Sequence, residues 1–229
     1  MEAPGWFGKL PALGDFASRR LPTSFIETWD AWLQSGIAAC RQRAPEAWLE
    51  HYLNAPIWRF LLLPGTCGPS LWAGALMPSV DKVGRHFPLT VAQELPANTA
   101  AFDHVLGAHD WFARLEDAML ATLDLQATVE AFEQTLADAP YPAARAQPQL
   151  AAQALAQAWQ SVAPDSELTL PTLADLRPTC AQAGLDYLLT YGNRCTLWWT
   201  APESGRQATL LVFRGLPTER NFSRLLKRC

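Results

Sequence analysis

Apolar residues recur with helical spacing in the first fifth of the chain. One helical face carries five of them: Ile26, Trp29, Leu33, Ile37 and Cys40. Ser24, followed three positions later by Glu27, has the spacing of a capping box, in which two side chains satisfy the free N–H groups of a helix start. The pattern predicts a long helix that begins near residue 24 and a shorter helix that follows Pro45.

The spacing of apolar residues elsewhere in the first hundred positions is that of strands. Short apolar stretches lie at 5–10, 57–63, 71–77 and 87–91, and proline or glycine separates them. The segment 11–22 between the first stretch and the long helix is rich in turn residues and is predicted to be a loop. These stretches predict the core of a sheet.

Alanine and leucine dominate the middle of the chain. Apolar stripes between residues 102 and 162 predict three helices, and the prolines of 139–149 predict a flexible loop among them. The last part of the chain is assigned as an irregular segment at 164–178, a hairpin of strands at 196–200 and 208–213 with its turn at 204–205, and a final helix from Gly215. We expect the hairpin to join the same sheet as the earlier strands.

Composition narrows the class of protein. The chain has 229 residues, of which 49% are hydrophobic and 17% charged, so it can bury a large core, and we treat 1–229 as a single domain. The 22 acidic residues exceed the 18 basic ones and give a net charge of −4. Binding to nucleic acid depends on a positive field, so no nucleic-acid partner is predicted.

The cysteines and the apolar stretches indicate a compartment. The chain has five cysteines without C-x-x-C spacing, which suggests neither a disulfide framework nor a zinc ribbon and fits a reducing environment. The most apolar stretch, 57–63, contains Arg59 and is much shorter than the roughly 18 residues that span a bilayer. The first nine residues lack the pattern of a secretory signal. We therefore expect a cytoplasmic protein without membrane insertion.

Two partial motifs suggest nucleophilic chemistry. Ser79 and Lys82 have S-x-x-K spacing, but the S-D-N and K-T-G motifs that accompany it in penicillin-binding proteins are absent. Cys67 lies in a segment that approximates a nucleophile elbow, except that Pro69 stands where glycine is required. A short helix from Ser79, ended by a left-handed Gly84, explains the first motif without chemistry. A hydrolase that uses Ser79 or Cys67 stays a remote alternative.

No other pattern points to a cofactor. The four histidines include no H-E-x-x-H pair, and no phosphate-binding glycine motif occurs, so neither a metal nor a nucleotide cofactor is predicted. Between residues 94 and 138 the chain has nine acidic residues and one basic residue, Arg114. This segment could attract an arginine-rich partner, or its acids could solvate the outer side of one helix, as the spacing of Asp103, Asp110, Asp117 and Asp124 suggests.

Three groups of motifs resemble one family. The first group is W-F-G-K-L-P from Trp6, G-D-F from Gly14, R-R-L-P from Arg19 and W-D-A-W-L from Trp29; the second is W-A-G from Trp72 and P-S-V-D-K-V-G-R-H-F-P from Pro78; the third is L-W-W from Leu197 with G-L-P from Gly215. Together they resemble the TagF (ImpM) proteins associated with type VI secretion in Gram-negative bacteria. The resemblance spans the chain and leaves no room for the phosphatase domain that some relatives carry.

The resemblance has implications for fold and function. It implies an α/β fold in which a mixed β-sheet has helices on both faces, a three-layer α-β-α sandwich with a helix-rich middle. It also implies a non-enzymatic cytoplasmic protein that represses type VI secretion after translation, by binding a component of the apparatus. The forkhead-associated scaffold protein is the expected partner. A structural or assembly subunit of the apparatus is the alternative, and the oligomeric state stays open.

The motif from Pro78 supports two interpretations. Asp81 and Arg85 are four residues apart, so they could pair across one turn as a structural element. Alternatively, Arg85 could present its five donors to a carboxylate or phosphate of a partner. The candidate partner-binding residues are Arg19, Arg20, Asp81 and Arg85, together with Trp6, Trp29 and Trp32 wherever these tryptophans face solvent.

Overall fold

The computed structural model of the chain describes residues 3–124, 126–141, 176–202 and 207–226. The strands are β1 (Gly5–Gly8), β2 (Ala17–Arg19), β3 (Trp58–Leu62), β4 (Leu71–Met77), β5 (Leu89–Leu95), β6 (Cys195–Trp199) and β7 (Leu210–Arg214). The helices in these residues are α1 (Thr23–Arg43), α2 (Trp48–Leu53), α3 (Thr99–Gly107), α4 (His109–Ala121), α5 (Val129–Ala137), α6 (Leu176–Tyr191) and α7 (Glu219–Phe222).

The seven strands form one sheet in the order β2-β1-β5-β4-β3-β6-β7. Each described pairing is antiparallel, where the prediction had a mixed sheet. The predicted α/β fold is confirmed, and the C-terminal hairpin joins the sheet through β6, which pairs with β3. The centre of the sheet is apolar on both faces, as expected for strands that are covered on both sides.

Successive residues of strands β1 and β3 contribute to different cores. Trp6 and Leu61 face a core that α3, α4, α5 and part of α6 cover. Their neighbours Phe7 and Phe60 face the opposite core, which α1, α2 and α7 cover. Because side chains alternate between the faces of a strand, this period-two pattern produces the three layers. The predicted sandwich is confirmed.

The structure differs from the prediction near residues 20 and 80. The proposed capping box is wrong, because α1 starts after Pro22 and has no side-chain cap. The segment that was predicted to be a loop contains β2, which pairs with β1. The short helix expected from Ser79 is also wrong: the backbone there makes a tight turn, closed by a bridge between Val80 and His86.

In the second half of the chain, the structure differs from the prediction at one helix. The irregular segment predicted at 164–178 overlaps α6, which begins at Leu176. Pro178 did not prevent the helix, because proline is tolerated in a first turn, where its missing N–H has no partner to lose. The flexible loop at 139–149 beyond residue 141 and the hairpin turn at 204–205 lie outside the described residues. Among the described residues, no helix is long and apolar enough to cross a membrane.

Gly36 allows α1 and α7 to pack closely. A Cβ at this position would lie well inside van der Waals contact with the ring of Phe222. We expect Gly36→Ala to lower the free energy of unfolding by about 1–3 kcal/mol, because overpacking outweighs the better helix propensity of alanine. Urea unfolding measures this change.

Gly107 provides the matched control, because it also lies in a helix and a Cβ there would meet no atom within 4 Å. Gly107→Ala should leave stability unchanged or raise it by at most about 1 kcal/mol. Equal effects of the two substitutions would contradict close packing at Gly36.

Candidate functional site

The motif from Pro78 forms the connection between β4 and β5, which we call the signature loop (residues 78–88). The backbone N–H of Asp81 donates to the Arg85 carbonyl over 3.1 Å, and that of Gly84 donates to the Asp81 carbonyl over 2.9 Å. Gly84 has a φ of +84°, which favours glycine at this point of the turn. The left-handed glycine predicted from the sequence is therefore present, in a turn instead of a helix.

The carboxylate of Asp81 is the centre of this loop. Its Oδ2 accepts from Lys9 Nζ over 2.8 Å and from Arg85 Nε over 2.7 Å. Its Oδ1 accepts from the backbone N–H groups of Arg85 (2.8 Å) and Val83 (3.1 Å). The Asp81 side chain is 0% exposed and that of Lys9 is 5% exposed, whereas that of Arg85 is 54% exposed. One buried carboxylate thus orients an exposed arginine.

Hydrogen bonding determines the charge of Asp81. Burial alone would raise the pKa of this carboxyl, but donors from Lys9, Arg85 and Val83 hold the pKa well below its usual value. The group is therefore ionised at any physiological pH. The buried Lys9 side chain supplies a counter-charge within 2.8 Å of this carboxylate.

Hydrogen bonds to residues outside the signature loop hold the start of the loop in place. The Tyr52 hydroxyl of α2 donates to the Ser79 carbonyl over 2.8 Å and accepts from the Ser79 N–H over 2.9 Å. The Ser79 hydroxyl donates to the carbonyl of Lys9 over 2.7 Å. These buried bonds connect α2, the end of β1 and the signature loop, so the turn has a rigid foundation.

Four side chains extend outward from this foundation, and we call them the tip surface: Phe16, Lys82, Val83 and Arg85. Val83 is 68% exposed and Phe16 is 45% exposed, so both present apolar area to solvent. The Phe16 ring packs edge-on against Phe87, with the ring centroids 4.7 Å apart. Arg85 Nη2 donates to the Gly14 carbonyl and is 3.8 Å from Asp15 Oδ1. The tip surface combines positive charge with apolar area.

Arg19 and Arg20 lie in a different contact group. Arg20 has a φ of +59°, its Nε donates to the Pro4 carbonyl over 3.1 Å, and its Nη1 is 2.5 Å from Glu133 Oε2 of α5. Glu133 also accepts from the indole N–H of Trp6 and is 3.6 Å from Arg19 Nε. Although burial raises the pKa of Glu133, the donors from Arg20 and Trp6 lower it overall. No described hydrogen bond or ion pair joins this group to Arg85.

The three candidate tryptophans do not form an exposed patch. Trp6 and Trp29 are fully buried, so the condition for their candidacy as partner anchors is not met. The Trp29 indole N–H donates to Thr90 Oγ1 over 2.8 Å. Trp32 is half-buried, and its indole N–H donates to the Pro217 carbonyl over 2.8 Å. Each of these rings packs in the fold and has a satisfied polar group.

Neither candidate nucleophile has activating surroundings. Ser79 is 3% exposed, and its hydroxyl donates to a carbonyl instead of to a base. Burial raises the pKa of the Cys67 thiol to about 12, whereas reactive thiols have lowered pKa values. The described part of the chain contains no group of three side chains that could hold a metal ion.

Comparison with known proteins places this geometry in a family. A family model described as the TagF N-terminal domain, type VI secretion system-associated, matches residues 5–139, which is more than half of the chain. The chain belongs to the TagF family. The crystal structure of PA0076 from Pseudomonas aeruginosa PAO1 is 38% identical, covers 98% of this chain and 94% of its own, and has a TM-score of 0.77. No curated protein matches the chain.

The structure assigns roles that the sequence did not predict for this TagF protein. Lys9 was quoted in a family motif, but it lies 72 positions before Asp81 and no local spacing connects them. Phe16 and Val83 also belong to motifs, and their exposure depends on the three-dimensional turn. Sequence spacing identified the Asp81–Arg85 pair, which the structure confirms as an ion pair of 2.7 Å.

The acidic segment of the TagF domain is partly neutralised. Glu116 accepts two hydrogen bonds from the buried side chain of Arg59, over 2.7 and 2.8 Å, and Glu133 pairs with Arg20. The carboxylates of Asp103, Asp110 and Asp117 are exposed on α3 and α4. They lie on two helices instead of one, and they solvate the outer surface of that layer.

Replacing Asp81 tests the foundation of the signature loop. Its pKa is lower in the folded chain than its unfolded value of about 4. The stabilisation is therefore complete above that value and declines as the pH falls towards the folded pKa. We expect Asp81→Asn to lower the thermal midpoint strongly at pH 7, because Lys9 then lacks its counter-charge, and to reduce the loss of stability between about pH 4 and pH 2.

Asp15→Asn is the control, since the Asp15 side chain is 82% exposed and lies 3.8 Å from Arg85. It should change stability by less than about 0.5 kcal/mol. Thermal unfolding followed by circular dichroism across this pH range measures both variants. An Asp81→Asn protein with the wild-type midpoint and pH profile would show that the carboxylate does not stabilise the fold.

Proposed function

We propose that this TagF protein is a non-enzymatic cytoplasmic accessory protein that represses type VI secretion after translation by binding a component of the apparatus. The forkhead-associated scaffold protein is the partner that we propose. Membership of a type VI secretion-associated family supports the general role. The tip surface is the observation that supports binding through a defined contact.

The construction of the tip surface favours recognition. Asp81 fixes the Arg85 side chain at Nε, and this side chain is still 54% exposed. A partner that binds this guanidinium therefore loses little side-chain entropy on association. Arginine is also enriched among the residues that dominate binding energy.

The chemistry of the tip surface indicates what it would contact. Arg85 and the exposed Lys82 supply positive charge, and Phe16 and Val83 supply apolar area beside it. This combination fits a carboxylate or phosphate group next to an apolar side chain on the partner. The proposed contact is small, so additional surfaces would contribute to affinity.

The surroundings of Ser79 and Cys67 favour binding over catalysis. The hydroxyl and the thiol are both buried, and Ser79 serves as a donor that holds the loop. A hydrolase would require at least one of them to meet a base and a substrate. We therefore assign Ser79 to the foundation of the tip surface.

Arg85→Ala tests the contact with the purified scaffold protein. We expect the variant to bind at least about tenfold more weakly, equivalent to about 1.4 kcal/mol, because an oriented guanidinium is lost from the interface. Calorimetric titration gives the affinity. Arg114→Ala is the matched control, because Arg114 is an exposed arginine on α4, far along the chain from the loop. If Arg85→Ala folds and binds like the wild type, the tip surface is not the binding site.

Secretion of the tail-tube protein tests the direction of regulation. Deletion of this chain in its source bacterium should increase the tail-tube protein in the medium, and overexpression should decrease it. Quantitative immunoblotting of medium and cells measures both, with a cytosolic protein as the control for lysis. Loss of secretion on deletion would instead identify a required assembly component, the alternative function.

A further inference from the structure

Strand β7 is the outermost strand of the sheet. The Thr200 N–H donates to the Thr209 carbonyl over 3.1 Å, and the Gly215 N–H donates to the Arg194 carbonyl. Both bonds join residues that lie opposite each other in the register in which Trp198 pairs with Leu211. In an antiparallel pair the bonded positions alternate, so Leu211 and Phe213 direct their backbone groups towards β6.

The alternate residues of β7 therefore direct their backbone groups away from the sheet. These residues are Leu210, Val212 and Arg214, which lie opposite β6 in the non-hydrogen-bonded positions. Within the part of the chain that the structure describes, no strand lies on their outward side. Leu210 is 61% exposed and Val212 is 60% exposed. A strand edge with free N–H and C=O groups and exposed apolar side chains is a template for another strand.

The opposite edge of the sheet has features that prevent the addition of another strand. Strand β2 has three residues, and the arginines at its end, Arg19 and Arg20, pair with Glu133 of α5. Short length and charge are the devices by which proteins prevent strand addition. Strand β7 has five residues, no proline or lysine, and one charge, which lies at its end.

We propose that a second copy of this chain pairs antiparallel with β7 about a two-fold axis at Val212. In this register Val212 faces Val212 of the partner copy, and Leu210 faces Arg214. All three outward-directed residues of each strand then bond to outward-directed residues of the other. The two sheets become one continuous sheet, and Leu210 and Val212 of both copies share a face.

The distribution of charge favours a second copy as the occupant. Arg214 is the one charged residue of β7, and the two-fold register places the two guanidiniums at opposite ends of the paired strands. Like charges therefore do not face each other, which would destabilise a cross-strand pair. The apolar centre meets its own equivalent, as isologous interfaces require.

Two opposite charges at Val212 test the proposal. In sedimentation velocity over a range of protein concentrations, we expect the full-length wild type to show reversible dimerisation. Val212→Lys and Val212→Glu should each weaken self-association roughly tenfold or more, because like charges then meet on the axis. An equimolar mixture of the two variants should recover dimerisation, because lysine then faces glutamate. Both substitutions are at an exposed position, and circular dichroism checks that they fold.

Leu53→Lys is the control for general loss of exposed apolar surface, since Leu53 on α2 is 56% exposed. It should dimerise like the wild type. The proposal is overturned if the wild type stays monomeric throughout, if the single Val212 variants associate normally, or if their mixture stays monomeric. A monomeric wild type whose binding to the scaffold protein is lost in Val212→Lys would assign this edge to a strand of that partner.

Discussion

The buried ion pair between Lys9 and Asp81 is the constraint on which the candidate site depends. Burying two charges is costly unless each has a partner and hydrogen bonds satisfy the remaining polar atoms. Asp81 meets that condition with four donors, two of which are backbone N–H groups of its own turn. The loop must therefore adopt one conformation to keep the carboxylate satisfied. The end of β1, the signature loop and the orientation of Arg85 are determined together.

Local pattern was sufficient to predict most of the fold. The spacing of apolar residues predicted helix α1, strands β3 and β4 and the β6–β7 hairpin. These apolar residues pack into the core on one face of the sheet or into the cores on both faces. Strand β2 was missed because three residues are too few to show a period. The start of α6 was missed because the prolines up to Pro178 were taken as a sign of irregular structure. Proline is, however, tolerated in the first turn of a helix.

The candidate site was only partly predictable, for a physical reason. The spacing of Asp81 and Arg85 is local and was visible in the sequence, whereas the contact with Lys9 crosses 72 positions and depends on the completed sheet. For the tryptophans, the sequence showed the residue type but not whether the side chain is buried. Trp6, Trp29 and Trp32 were candidate anchors for a partner, but Trp29 stacks in a buried aromatic cluster with Phe25 and Trp198, so burial and not residue type decides the role.

The two surfaces proposed for binding are separated by the order of the strands. The tip surface extends from the connection between β4 and β5, and β7 lies three strands beyond β4. At the spacing of neighbouring strands, this is a separation of about 14 Å across the sheet. Pairing through β7 would therefore not use the residues of the tip surface. Two tip surfaces held in one rigid sheet can engage two copies of a partner, or a repeated partner in an assembly, with a higher effective concentration than separate chains. Weak individual contacts at a small tip surface are then compatible with the proposed binding to a component of the type VI secretion apparatus.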